Sequence, residues 1–443
     1  MRKLTLTVAA LLATTCLFAQ HVNNTNQSGR YNTVNLNQSG TDQKSTINQT
    51  STASIVEFIL GGNHAVVNQS NGSFNNGKNE STISQNGKAN LVEVDQAGKK
   101  NTSEASQTGN YQTIDVSQTG KQNESGVMQS GGFNSADATQ NGEFNTSMIT
   151  QSGAFLLNRN EASVEQIGDN NASMVAQSGP KNDADVSQSG NGNKSMVDQT
   201  SHFVLSFTYD GEDATVNQNG DGNEAIIVQD GRRDDAEINQ TGDDNWAKVK
   251  QSGNSNDAEV NQTGDDNGAK IKQNGDDNDA EINQSGDDNW AKIKQTGDDN
   301  EAVITQTSDD NWAKIKQTGD DNWGSIYQGG GDDNSAKLVQ NGDDNWGKLH
   351  QWGSNNELVA KQMGDDNKIT GVGNVGDVYG AAQAGNNNEA SLMQNGDNNR
   401  IDFFQQGNNN QYNVTQTGNG HYDMIHQNGN SNVVNAVQSS PMP

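Results

Sequence analysis

The chain has 443 residues, of which 29% are hydrophobic, with 49 glycines, 3 prolines and a formal charge of −29 at pH 7. So polar a composition cannot build an ordinary globular core, so any order must come from repetition. The negative charge argues against nucleic acid or an anionic membrane as a partner and makes a cation the more natural companion.

Residues 1–19 have the layout of a signal peptide: Arg2 and Lys3 open it, Thr5 to Phe18 is mostly apolar, and Ala19 precedes a polar stretch. The mature chain, residues 20–443, is expected to begin at Gln20 and to carry a charge of −31, because two cations leave with the peptide. The only cysteine, Cys16, leaves with them, so no disulfide or thiol chemistry remains. Nothing after residue 19 approaches the roughly 18 consecutive apolar residues of a membrane span. The product is expected to be exported and not membrane-inserted.

Glutamine then recurs every eleven residues. The beat starts at Gln27, Gln38 and Gln49 and runs from Gln96 to Gln151, Gln166 to Gln199 and Gln218 to Gln328. After a one-residue insertion it continues through Gln340, Gln351 and Gln362, and it closes from Gln383 to Gln438. In the unit Ala280 to Trp290, Ala280, Ile282 and Gln284 fall on one face at period two while Glu281, Asn283 and Ser285 fall on the other. That alternation is the pattern of a half-buried strand. Gly286 and Asn289 suit the left-handed backbone of a sharp reversal. An eleven-residue period also fits a right-handed coiled coil, but Gly and Asn in almost every unit defeat that reading.

A strand of about six residues travels roughly 20 Å, so the next unit must run back, and a complete rung takes two units of strand and turn, 22 residues. The charges agree: Glu237, Glu259 and Glu281 occupy alternate units, and Lys248, Lys270, Lys292 and Lys314 the units between. The expected fold is an all-β solenoid of about nineteen rungs forming two stacked parallel sheets, a rod roughly 90 Å long. Inside, Gln240, Gln251, Gln262, Gln273, Gln284, Gln295, Gln306 and Gln317 form ladders, joined by Asn245, Asn267, Asn278, Asn289, Asn300 and Asn311. Each amide can donate to its copy in the next rung, which satisfies groups that would otherwise cost a few kcal/mol each. Gly242, Gly264, Gly275, Gly286, Gly297 and Gly319 mark the turns.

Three stretches break the rhythm, 54–62, 202–209 and 369–380, and are expected to be rungs with a different, more apolar core. Insertions between Gln69 and Gln85 and at Phe155 to Asn158 read as enlarged turns. Neither terminus offers a polar capping helix, and the motif persists around Asn26 to Gly40 and Val433 to Gln438, so one molecule can template the next.

No catalytic constellation is visible. His64, His202, His350, His421 and His426 are scattered, and no Ser-His-Asp or zinc spacing occurs, so an enzyme is not expected. The Gly-Asp-Asp-Asn turns allow two readings. They are solvated reversals whose repulsion, about 0.9 kcal/mol per neighbouring pair in water, delays aggregation; or Ca²⁺ bridges stacked carboxylates at Asp243, Asp265, Asp287 and Asp309. Trp246, Trp290 and Trp312 share one edge, with Gly268 interrupting, and Trp323 and Trp346 the other. They pack turns or present an aromatic row to sugars or another fibre.

The spacing Gln284, Gly286, Asn289, Ala291, Gln295 resembles the curlin motif, Gln-x-Gly-x-x-Asn-x-Ala-x-x-x-Gln, and recurs in phase along nearly the whole mature chain. The family's motif opens with Ser six positions before the first Gln, where this chain has Asn278. The resemblance implies a subunit exported unfolded through a dedicated outer-membrane channel, met by a nucleator, and polymerised with copies of itself into extracellular adhesive biofilm fibres. The alternative is a monomeric calcium- or carbohydrate-binding β-solenoid adhesin.

Overall fold

The computed structural model describes residues 21–51, 62–71, 77–153, 159–202, 211–371 and 380–440. These form no helix and thirty-six strands, from β1 (Val22–Ser28) to β36 (Val433–Ser439). Period two decides what each strand buries. In β22 (Asp279–Ser285) Ala280, Ile282 and Gln284 are buried, and the residues between them stay partly or fully exposed.

Successive strands alternate between two parallel sheets, one beginning with β1 and the other with β2 (Thr33–Ser39). Where no insertion intervenes, the register within a sheet is one rung of 22 residues, so Ala258 lies beside Ala280, Val260 beside Ile282 and Gln262 beside Gln284. Between the sheets runs a thin core of Ala and β-branched side chains. Ala280 and Ile282 from one sheet and Ala291 and Ile293 from the other are fully buried, and each buried Ile is worth roughly 1.5–3 kcal/mol.

The turns depart from expectation in one respect. Gly286 does take positive φ, 115°, but the second left-handed residue is Asp288 at 56°, not Asn289. Asn289 turns inward and is buried, because its amide is needed inside while Asp, like Asn, tolerates the left-handed region. Glycine is demanded by stacking as much as by φ. A Cβ on Gly264 would run into the carbonyl oxygen of Gly286, and one on Gly275 into that of Gly297.

Among the described residues the first sheet has eighteen layers and the second seventeen, because β30 (Lys368–Thr370) and β31 (Ala381–Ala384) share one layer between β28 (Trp346–Trp352) and β33 (Arg400–Gln406). The expected nineteen rungs is therefore slightly high. β2 pairs directly with β4 (His64–Ser70), and β14 (Asp183–Ser189) with β16 (Asp213–Asn219). The apolar parts of those stretches, most of 369–380, Phe155 to Asn158 and residues 1–19 lie outside the described residues.

Gly275→Ala is expected to destabilise the rod by at least ~2 kcal/mol, against less than ~0.5 kcal/mol for the exposed Thr263→Ala. Urea denaturation of the two variants beside the parent measures the difference.

Candidate functional site: amide ladders and open rod ends

All eight Gln side chains singled out between 240 and 317 point inward and are almost wholly buried. In one sheet Gln240 Nε2 donates to Gln262 Oε1, Gln262 to Gln284 and Gln284 to Gln306, each at 2.9 Å. In the other, Gln251 donates to Gln273, Gln273 to Gln295 and Gln295 to Gln317, each at 3.1 Å. The amide does more than climb. Gln273 Nε2 also reaches the carbonyls of Asp257, at 2.6 Å, and Asn278, at 2.9 Å, so it ties its own sheet to the facing strand and to the turn that follows it; Gln251, Gln295 and Gln317 do the same, while Gln240, Gln262, Gln284 and Gln306 in the other sheet reach only the facing strand. Sequence reasoning missed this cross-tie, which depends on how the two sheets are offset.

The Asn ladder runs at the mouth of each turn. Asn245 Oδ1 accepts the backbone N–H of Asn267 at 3.0 Å and its amide at 3.1 Å, while Asn267 Nδ2 donates to the carbonyl of Gly286 at 2.7 Å. Asn300 stands on Asn278, and Asn311 on Asn289, by the same bonds. Asn289 shows what the turn glycine contributes. Ser308 occupies the slot that holds Gly286 one rung earlier, it lacks positive φ, and Asn289 Nδ2 is buried with no partner.

The Asp rows stack along both edges. Asp265 Oδ1 accepts the backbone N–H of Asp243 at 2.8 Å, Asp287 that of Asp265 and Asp309 that of Asp287, each at 2.9 Å. These carboxylates thus spend one oxygen on the backbone, which is how a row of like charges is held at strand spacing. Outside them, Asp266 is pushed up from the ordinary carboxylate range by lost hydration and then by Asp288 and Asp244 above and below it. Among the described residues no group of three or more His, Cys, Asp or Glu side chains converges as a metal site.

The outer faces differ in sign. Lys248, Lys270, Lys292, Lys314 and Lys337 stack on one sheet, where Lys314 is pushed below the usual lysine range by lost hydration and by its Lys neighbours. Glu237, Glu259 and Glu281 stack on the other. Trp290 lies on Trp312 with ring centroids 5.7 Å apart, and Trp323 on Trp346 at 4.8 Å, with Gly268 between Trp246 and Trp290.

The ladders have a polarity that becomes visible at the ends. Every ladder Gln in the described rod donates to its copy one rung nearer the C-terminal end, so Gln38 Oε1, in β2, is buried and accepts nothing. At the opposite end Gln427 Nε2, in β35 (Tyr422–Asn428), is buried and donates to nothing. Val34 and Leu36 at one end, and Ile425, Val434 and Ala436 at the other, are only partly buried against the core. Among the described residues both ends therefore present open strand edges over an unfinished core.

One Asn ladder is interrupted by two acids that sequence reasoning passed over, although the slot six residues before Gln218 and Gln240 would have found them. Glu212 accepts the backbone N–H of Asp234 at 2.8 Å, and Asp234 accepts that of Asn256 at 2.9 Å. Glu212 Oε1 and Asp234 Oδ2 are buried without partners. Burial, then the neighbouring Asp234, pushes Glu212 up to about 8; burial pushes Asp234 up to about 6 against the hydrogen bonds from Asn256. Raised folded values mean that the unfolded chain ionises first, so stability is full below about pH 4 and falls as pH rises toward 8. Glu212→Gln with Asp234→Asn is expected to remove about 2–4 kcal/mol of that decline, read as urea midpoints at pH 4.5 and 8.

The model of the curlin associated repeat matches residues 78–109, 158–190, 211–242, 242–275, 275–307, 309–342, 331–370 and 385–418, more than half of the chain. No curated protein matches the sequence. With the repeat in register through the ladders described above, the chain belongs to the curlin family, as a long array of its repeat.

Proposed function

We propose that the chain is a structural fibre subunit, exported by residues 1–19, that polymerises end to end outside the cell into curli-like amyloid fibres of an adhesive biofilm matrix. The observation that carries this reading is the complementary pair of open ends. A buried Gln38 acceptor waits at one end and a buried Gln427 donor at the other, above partly covered Val34, Leu36, Ile425, Val434 and Ala436. A solenoid that works as a monomer covers such edges, since unpaired strand groups recruit further strands. Here a second copy supplies what each end lacks, and head-to-tail stacking continues the sheets and the donor direction of the ladders.

The family is a structural one, and the mechanism needs no reacting group: the working residues are the inward Gln, Asn, Ala and aliphatic ladders. A nucleator and an outer-membrane channel are the partners this reading calls for. The stacked Asp turns, as solvated reversals, slow association until export is complete.

Purified mature chain is expected to elongate from preformed, sonicated fibres without a lag, to bind thioflavin T and to give a meridional reflection near 4.8 Å. A chain that stays monomeric at high concentration in the presence of such seeds contradicts the reading and favours a monomeric adhesin.

A further inference from the structure

The two sheets do not contain the same number of layers, and this fixes how a second copy can sit on either end. The first sheet, eighteen layers deep, supplies the outermost strand at both ends, β1 and β36; the second, seventeen deep, runs from β2 to β35. The described rod thus has an odd number of half-turns, thirty-five. If two copies met by pure translation, β1 would lie on β36 and the second sheet would be left one strand short at every junction. Gln38 Oε1 and Gln427 Nε2, both buried and unpartnered, would face each other across that gap.

We propose that successive subunits are related by a half-turn about the rod axis, so that the first sheet of one copy continues into the second sheet of the next. This rests on the end-to-end reading above. A half-turn exchanges the sheets while keeping every strand parallel to its neighbour and every inward residue inward. It lays β1 on β35 and β2 on β36, with no strand missing. Both sheets repeat the motif in the same eleven-residue phase, so the glutamines remain in register: Gln27 meets Gln427 and Gln38 meets Gln438. Gln427 Nε2 then has an acceptor and Gln38 Oε1 a donor, the two that were missing.

The inward side chains match as well. The half-turn places Val34 on Val434 and Leu36 on Ala436, closing the core with apolar groups. It places Asn23 on Asp423, whose Oδ2 is buried with no partner and whose carboxyl burial pushes up. The Asn23 amide is the donor that this oxygen lacks. Translation would instead set Asn23 on Val434 and leave Asp423 facing the empty layer.

Cysteine pairs test the arrangement, in the mature chain or with Cys16→Ser if the leader is retained. Adjacent in-register strands stand about 4.8 Å apart, within reach of a disulfide. Fibres are assembled under reducing conditions, verified by electron microscopy, oxidised, dissolved in formic acid and run on a non-reducing gel. Asn24→Cys with Met424→Cys, and Asn35→Cys with Asn435→Cys, are expected to give covalent multimers; Asn24→Cys with Asn435→Cys is expected to stay monomeric. Multimers from the last pair, or fibres in which none of the three pairs cross-links, overturn the half-turn while leaving end-to-end assembly standing. Absence of fibres from the parent chain overturns both. Should one double variant fail to assemble, the pair in the other sheet carries the same discrimination.

Discussion

Everything in this molecule follows from stacking identical amides at strand spacing inside a protein. A buried primary amide without partners costs a few kcal/mol, and the chain buries one Gln and one Asn in almost every eleven residues. The cost vanishes only if the rung above and below carries the same group in the same place. Register is therefore enforced by hydrogen bonding as well as by the Ala, Ile and Val faces. A slip by one residue would turn Gln284 to solvent and Glu281 toward the core. That penalty is why so polar a sequence folds at all.

The same constraint explains the surface. Once rungs are in register, any side chain repeated at period 22 must stack on its copy. Trp290 on Trp312 gains from this, while the Lys248 to Lys337 column and the Asp edges lose. The Asp rows are tolerated because one oxygen of each first Asp takes a backbone N–H of the preceding rung, as Asp265 does for Asp243. Polarity also follows. Gln donates in one direction along the rod only, so the two ends differ chemically, and self-association has a preferred sense.

Much of this was legible in the sequence, and what was not has identifiable causes. Period two located the strands, and the alternation of Glu259 with Lys270 located the sheets, since both are local or simply additive signals. The inward ladder from Gln240 to Gln317 followed from the same count. The left-handed turn residue did not, because Asp288 and Asn289 are both chemically suited to it and only the demand for an inward amide at 289 decides. The Gln273 bond to the Asp257 carbonyl was invisible because it depends on the offset between sheets. Glu212 and Asp234 hid among many turn carboxylates, and the rung count ran slightly high because insertions stretch some rungs past 22 residues, as in the step of 31 from Gln38 to Gln69.

The central claim is that the glutamine amides are locked in dry, in-register ladders. Hydrogen exchange of ¹⁵N-labelled Gln side chains, followed by NMR on the folded, unassembled chain, tests it most directly. Nε2 protons of Gln240 through Gln317 should exchange orders of magnitude more slowly than those of free glutamine, with Gln27 and Gln438 at the ends the least protected. Uniformly fast exchange along the array would contradict the account.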